Sequence, residues 1–285
     1  MMVAASSGSP GMENENGWDG TAGRHWVQHE DRHDRMLAAL TSRLVDAAGI
    51  SSTDKILDVG CGCGETSRIA ARQAPQGEVL GIDISAPMLA RARTRAEEEG
   101  VTNLRFHEAD AGGTPLADGH YDVVLSRFGV MFFDGPQAAF ENISRSLRPG
   151  GRLAFLCWQE VTQNEHIIVP FSVLASYVPV PDIGGPDAPG PFSLADPARI
   201  RGLLTKAGCT GIEIQPVRES LRLGSDVPDV VRYFRDHPAA SSSIAAMDEA
   251  TLAKVLDELS EAVKPFQAPD GVFFGSAAWL VTARR

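Results

Sequence analysis

Apolar and polar positions follow two rhythms along the chain. Met36, Leu37, Leu40, Leu44 and Val45 recur at helical spacing, which predicts one helix over about residues 27–48, stopped by Gly49. A strand–helix alternation follows. Short apolar runs at residues 56–59, 79–82, 104–107, 121–125 and 152–158 predict five strands. Helices are predicted over about residues 65–73, from the capping Ser85 with Pro87 in its first turn, and over about 137–147. Pro149, Gly150 and Gly151 break the last of these. Strands separated by helices imply a parallel sheet with right-handed crossovers. Their near-continuous apolar runs imply that both sheet faces are covered.

The rhythm changes after Trp158. Seven prolines lie between Pro170 and Pro197, so residues 159–200 are expected to form an irregular cover with one short helix near 168–177. A helix restarts at Asp196 and Pro197 and runs through Ala207. Residues 212–217 read as a sixth strand, 227–263 as helical, and 277–282 as a final strand. The expected organisation is a disordered tail over 1–17, a helical lid over 18–50 and a core over 51–158. The cover over 159–200 follows, and 201–285 completes the sheet around a helical insertion at about 226–265.

A hydrophobic content of 43% with 22% charged residues allows an ordinary core. The net charge of −11 argues against a broad nucleic-acid surface, which needs clustered Lys and Arg. No apolar run reaches the roughly 18 residues that span a bilayer. Residues 1–10 lack the basic and apolar regions of a secretory leader, so a cytoplasmic location is expected. Cys61, Cys63, Cys157 and Cys209 include no CxxC pair and are expected to be reduced. A small-molecule partner is expected, with no nucleic acid and no membrane, in a monomer or homodimer.

The strongest chemical signal is the loop from Asp58 through Gly60, Cys61 and Gly62 to Gly64, set between a strand and a helix. Its glycines permit a sharp turn and close approach to a ligand, and the helix start behind it offers unpaired N–H groups. Asp83 ends the second strand, where an acid can accept from both hydroxyls of a ribose. Asp110 with Ala111 ends the third, placed to read an adenine. A nicotinamide site is the rival reading of such a loop. Its fingerprint is G-x-G-x-x-G, whereas this loop is G-x-G-x-G followed by Glu65.

The run Lys55 to Glu65 resembles the first motif of class I S-adenosylmethionine-dependent methyltransferases. Asp83 with Ile84, Asp110 with Ala111, Tyr121 to Ser126, and Leu147 to Leu153 resemble the motifs that follow. The resemblance covers about residues 54–158 and is nearest the ubiquinone/menaquinone-biosynthesis branch. Cys63 departs from it, standing where that branch has Thr or Ser. The resemblance implies a Rossmann-like α/β fold: a seven-strand, mostly parallel sheet with helices on both faces and a helical, irregular substrate cover. It implies S-adenosyl-L-methionine as cofactor. Asp58 and the glycines, Cys61 among that loop, would hold the methionine part. Asp83 would bind the ribose, Ile84 and Met88 would line the adenine pocket, and Ser126, with Arg127 and Phe128 near it, would sit beside the sulfonium.

Other residues invite a role. His25, His29 and His33 share one helix face, yet no acidic or Cys partner is evident, so no metal is expected. A general base among His25, His29 and His166 stands beside the alternative of a solvated helix face. Trp26, with Trp18, either caps the cofactor or anchors the first helix. Phe128, Met131, Asn164 and His166 are candidate substrate contacts, with a turn-forming role as the alternative for Asn164. The expected reaction is methyl transfer to an O, N or C nucleophile of a fairly apolar metabolite such as a quinone, polyketide or terpenoid. The alternatives are a cofactor-holding relative with another reaction, such as a cyclisation, and a nicotinamide oxidoreductase.

Overall fold

The computed structural model describes residues 17–177 and 188–285. The expected tail over 1–17 and the middle of the Pro-rich stretch lie largely outside them. Two helices, α1 (Thr21–Gln28) and α2 (Glu30–Ala48), precede the sheet. There follow β1 (Lys55–Val59), α3 (Glu65–Gln73), β2 (Glu78–Asp83), α4 (Ala86–Glu98), β3 (Leu104–Glu108), β4 (Tyr121–Arg127), α5 (Pro136–Ser146) and β5 (Leu147–Trp158). The second half holds α6 (Glu165–Leu174), α7 (Pro197–Lys206), β6 (Thr210–Gly224), α8 (Val227–Arg235), α9 (Pro238–Ala245), α10 (Glu249–Val263), β7 (Gln267–Ala268) and β8 (Gly271–Arg284).

The strand order is β3-β2-β1-β4-β5-β8-β6, with the two-residue β7 paired to β8 off this path. The first five strands pair in parallel, and β8 runs antiparallel to both β5 and β6. A mostly parallel seven-strand path was expected; β7 is an addition to it. The order reverses between β1 and β4, the place where open α/β sheets bind ligands at their carboxyl ends.

Apolar strands form the centre because both faces are covered. Leu57, Val123, Val124, Leu125, Phe155 and Leu156 are fully buried, and Phe140 of α5 packs tilted against Phe155 at 5.6 Å. Burying each such side chain contributes roughly 1.5–3 kcal/mol.

Several predicted elements differ in the structure. The single helix expected over 27–48 is two helices that meet at His29, whose φ of −111° and ψ of 19° leave the helical range. Neither Pro nor Gly marks this bend. It follows from tertiary contacts: Trp18 and Asp19, leading into α1, are tied to the start of α4, whereas α2 runs down the sheet from Arg127 at the end of β4 to Arg152 in β5. Pro149 to Gly151 do not separate helix from strand. They lie inside β5, at a register shift between Tyr121 and Val123 of its neighbour. The helical stretch over 227–263 is three helices, and β6 and β8 are far longer than their apolar runs.

Candidate active site

The ends of β1, β2 and β3 form one continuous rim. Gly60 N and Cys61 N both donate to Ile82 O, at 2.8 and 3.0 Å. The Asp83 carboxylate accepts from Gly62 N at 2.8 Å and from Ser85 N at 2.9 Å. Ala109 N donates to Asp83 O at 3.0 Å and brings the third strand end alongside. Asp110 lies exposed just beyond, its Oδ1 accepting from Gly112 N. Ala111 is buried behind it.

Glycine is required where this loop meets β4. Gly60 has a φ of 68°, and a Cβ there would stand 2.7 Å from Gly129 Cα. Gly62 has a φ of 55°, with Met88 Cε 3.2 Å from where a Cβ would lie. Left-handed backbone with backbone or packed side chain at contact distance leaves no room for other residues. Gly64 caps α3 at a φ of 80°.

Asp58 is fully buried under the loop. Its Oδ2 accepts from Ser67 Oγ at 2.6 Å, while Oδ1 has no partner. Burial pushes its carboxyl up to about 7, and burial also raises Asp83. A buried acceptor without a donor calls for one, and a ligand ammonium has the right chemistry. Ile84 follows Asp83. Among the described residues it is the one large apolar side chain that stands exposed, at 49%. Met88 is buried against Gly62.

A charged network ties α2 to the loop. Arg127 pairs with Glu65, donates to Thr41 Oγ1 at 2.8 Å and lies 3.5 Å from Asp34. Arg68 donates to Cys63 O at 2.7 Å and approaches Asp34 at 3.8 Å. Burial holds Asp34 up at about 6 despite these cations.

Phe128 follows β4 with a φ of 62°. It is held by its N–H on Leu156 O and by stacking on Trp158, 3.9 Å between rings at 16°. Trp158 in turn meets His166 at 4.9 Å. His166 hydrogen-bonds the Gly275 backbone, and its Nδ1 is buried without a partner. Burial pulls the ring down to about 4, so it stays neutral. Phe132 receives Trp18 edge-on at 5.2 Å, Trp26 meets Trp18 at 5.9 Å, and Trp18 O accepts from Ser85 Oγ at 2.7 Å. The N-terminal tryptophans therefore stand at the rim rather than apart from it.

Three candidates are turned away from this crevice. Ser126 is fully buried and donates to Val59 O at 2.7 Å, so its hydroxyl joins β4 to β1 instead of facing a sulfonium. Met131 is buried, with its sulfur on Trp158 N. Asn164 is buried. Its Nδ2 donates to Gln159 O, Glu160 O and Ala277 O, and its Oδ1 accepts from Ala277 N; it fastens the start of α6 to β8. All four cysteines are free and buried, and burial raises their thiols, Cys63 to about 12. They are fillers, not nucleophiles. His25 and His33 are buried rather than on a solvated face, beside Tyr233 and His237, two residues that the sequence alone did not bring forward.

Residues 56–151 match the family described as methyltransferase domain. Over 114 residues the chain is 41% identical to the demethylmenaquinone methyltransferase of Thermus thermophilus, covering 40% of this chain and 51% of that protein. The similarity is to a methyltransferase domain and spans about a third of the chain. The domain's fold recurs in the YcgJ protein of Bacillus subtilis, with a TM-score of 0.59 at 16% identity over 87% of this chain and 98% of the other. It recurs also in the [4+2]-cyclase SpnF, with a TM-score of 0.54 at 19% identity over 92% and 94%. The chain spans about half the length of the curated relatives it matches. Among the described residues no helix is long and apolar enough to cross a membrane, and no group of three or more His, Cys, Asp or Glu could hold a metal.

Proposed function

We propose that this chain transfers a methyl group from S-adenosylmethionine to a small, largely apolar acceptor. The observation that carries this reading is the contact of Asp83 with Gly62 on one side and Ala109 on the other, which makes three strand ends one crevice. The Asp83 carboxylate takes backbone N–H donors from Gly62, Ser85 and Ile84 and keeps acceptor capacity for a ribose hydroxyl. Asp58 Oδ1 takes the ammonium, Ile84 and Ala111 flank the adenine, and Asp110 accepts from its amino group.

When bound, the cofactor supplies an activated methyl group on a sulfonium. The protein then needs chiefly to align the acceptor, a service that contributes several kcal/mol. The stacked Phe128 and Trp158 form a flat apolar wall at the ends of β4 and β5, next to the Gly60–Gly129 contact. His166 presents its bare Nδ1 beside that wall. With its other nitrogen engaged by Gly275, it can accept the acceptor's proton as the new bond forms. Helices α1 and α2 act as the lid, with Trp18 and Trp26 at its edge. The four reduced cysteines suit a cytoplasmic enzyme.

Calorimetry with S-adenosylhomocysteine and with NAD tests the cofactor assignment: the first binds and the second does not. Tight NAD binding alone contradicts the reading. A panel of apolar acceptors then tests the reaction through release of S-adenosylhomocysteine. An acceptor rearranged without that release would favour the second reading, a cofactor-holding cyclase, which the SpnF likeness makes worth testing.

A further inference from the structure

The lid and the C-terminal cover meet at a cluster of imidazoles. His25 lies in α1, His29 at the bend, His33 in α2, Tyr233 in α8, and His237 just before α9. His25 is the hub: its ring centre is 4.4 Å from His29, 5.3 Å from His237, 5.6 Å from Tyr233 and 6.3 Å from His33. His33 Nε2 hydrogen-bonds the Tyr233 hydroxyl at 2.9 Å, and Trp26 stacks on the His33 ring at 3.9 Å. His25 Nε2 and His33 Nδ1 are buried with no partner. His33 and Tyr233, 200 positions apart in the chain, thus belong to one seam.

Charged groups frame the seam on every side. Arg32 of α2 lies over the Tyr233 ring at 4.8 Å, pairs with Asp229 at 2.6 Å and donates to Leu223 O. Arg32 disfavours charge on His25 and His29, whereas Asp236, just after α8, favours it, and Asp229 favours it on His29. Arg127, itself paired with Glu65 and near Asp34, opposes charge on His33. From α6 the neighbour is apolar, Phe171 edge-on to His237 at 6.3 Å. Arg232 of α8 lies 3.9 Å from Asp229. Asp236 is itself paired with Arg235 at 2.8 Å, so the cations and anions offset and the seam has no surplus of negative charge ready to receive several imidazolium ions.

The geometry points to a proton-released latch: the His25, His29, His33 and His237 cluster holds the lid against α8 and α9 while its rings are neutral and lets go when they charge. The physical reason is mutual repulsion of imidazolium ions packed at these distances in a largely buried seam. Burial pushes His33 down to about 2 and His25 and His237 to about 4, and burial lowers His29 too. A histidine lowered in the closed state binds fewer protons there than in the open one. Closure is therefore strongest above about pH 6.5 and is lost as pH falls toward about 4. Because Trp18 and Asp19, just before α1, hold Ser85 and Ala86 next to Asp83, release would loosen the lid over the ribose site. That consequence rests on the proposed cofactor reading; the latch itself does not.

Hydrogen–deuterium exchange of the full chain without cofactor, at about pH 7.5 and about pH 5.5 and corrected for intrinsic rates, tests it. Protection in residues 21–48 and 227–245 should fall about tenfold for each histidine that titrates, while β1 and β4 keep theirs. In H25Q/H237N the fall should shrink about a hundredfold. If that variant does not fold, H29Q at the half-exposed position should shrink it about tenfold at most. Protection unchanged between the two pH values in the wild-type chain, or an undiminished fall in the folded variant, overturns the latch. Failure of S-adenosylhomocysteine to bind at about pH 8 would instead overturn the cofactor reading and leave the exchange result standing.

Discussion

The crevice has two ends, built by different means. At the cofactor end, backbone does the shaping. Gly60 and Gly129 touch main chain to main chain, and Asp83 is fixed by the backbone N–H groups of Gly62 and Ser85. At the acceptor end, side chains do it. Phe128, Trp158 and His166 come from three elements, and the imidazole seam joins α1 and α2 to α8 and α9. A backbone-built end tolerates little change and serves one ligand. A side-chain-built end can be respecified by substitution without touching the first, which is how one fold carries many acceptors.

The largest expected effect lies at the rigid end. Gly60→Val forces a left-handed β-branched residue into Gly129, and S-adenosylhomocysteine affinity should fall by at least about 3 kcal/mol, more than about a hundredfold. Calorimetry reads it, and unchanged affinity would show that the loop can move aside. Gly62→Val should likewise lose binding while a thermal melt still shows a folded chain. At the adaptable end, His166→Phe should leave cofactor affinity alone and lower turnover of an identified acceptor about a hundredfold, with the acid limb of the rate profile removed. A loss of cofactor affinity in that variant would erase the distinction between the ends.

Asp83→Ala should weaken S-adenosylhomocysteine binding by about 1–3 kcal/mol. The smallest effect is a proton count. Asp58, held up to about 7 by burial, is largely protonated at about pH 6.5 in the free protein; an ammonium beside it would favour the carboxylate. Binding at about pH 6.5 should therefore release a sizeable fraction of one proton, fading by about pH 8.5. Calorimetry in two buffers of different ionisation heat measures this, and no release would place the ammonium elsewhere.

The rigid end was legible in the sequence because its determinants are local. A strand, a glycine loop and a helix start are contiguous, and acids at successive strand ends fall on one edge once the sheet is parallel. The sheet followed from the same alternation. Side-chain direction was not legible: Ser126 and Asn164 occupy suitable positions, yet each spends its polar atoms on the fold. The bend at His29 carries no Pro or Gly and comes from contacts with α4 and the sheet. Tyr233 and His237 lie so far along the chain that no periodicity could join them to His25. The helical spacing of His25, His29 and His33 did place the three together, though it could not tell a buried seam from a solvated face.

A crystal structure of the chain with S-adenosylhomocysteine bears most directly on the shared rim of β1, β2 and β3. The ribose hydroxyls should lie within hydrogen-bond distance of the Asp83 carboxylate, with the adenine over Ile84 and the thioether sulfur facing Phe128 and Trp158. An adenosyl group bound elsewhere, or Asp83 left with only its backbone partners, would contradict the account.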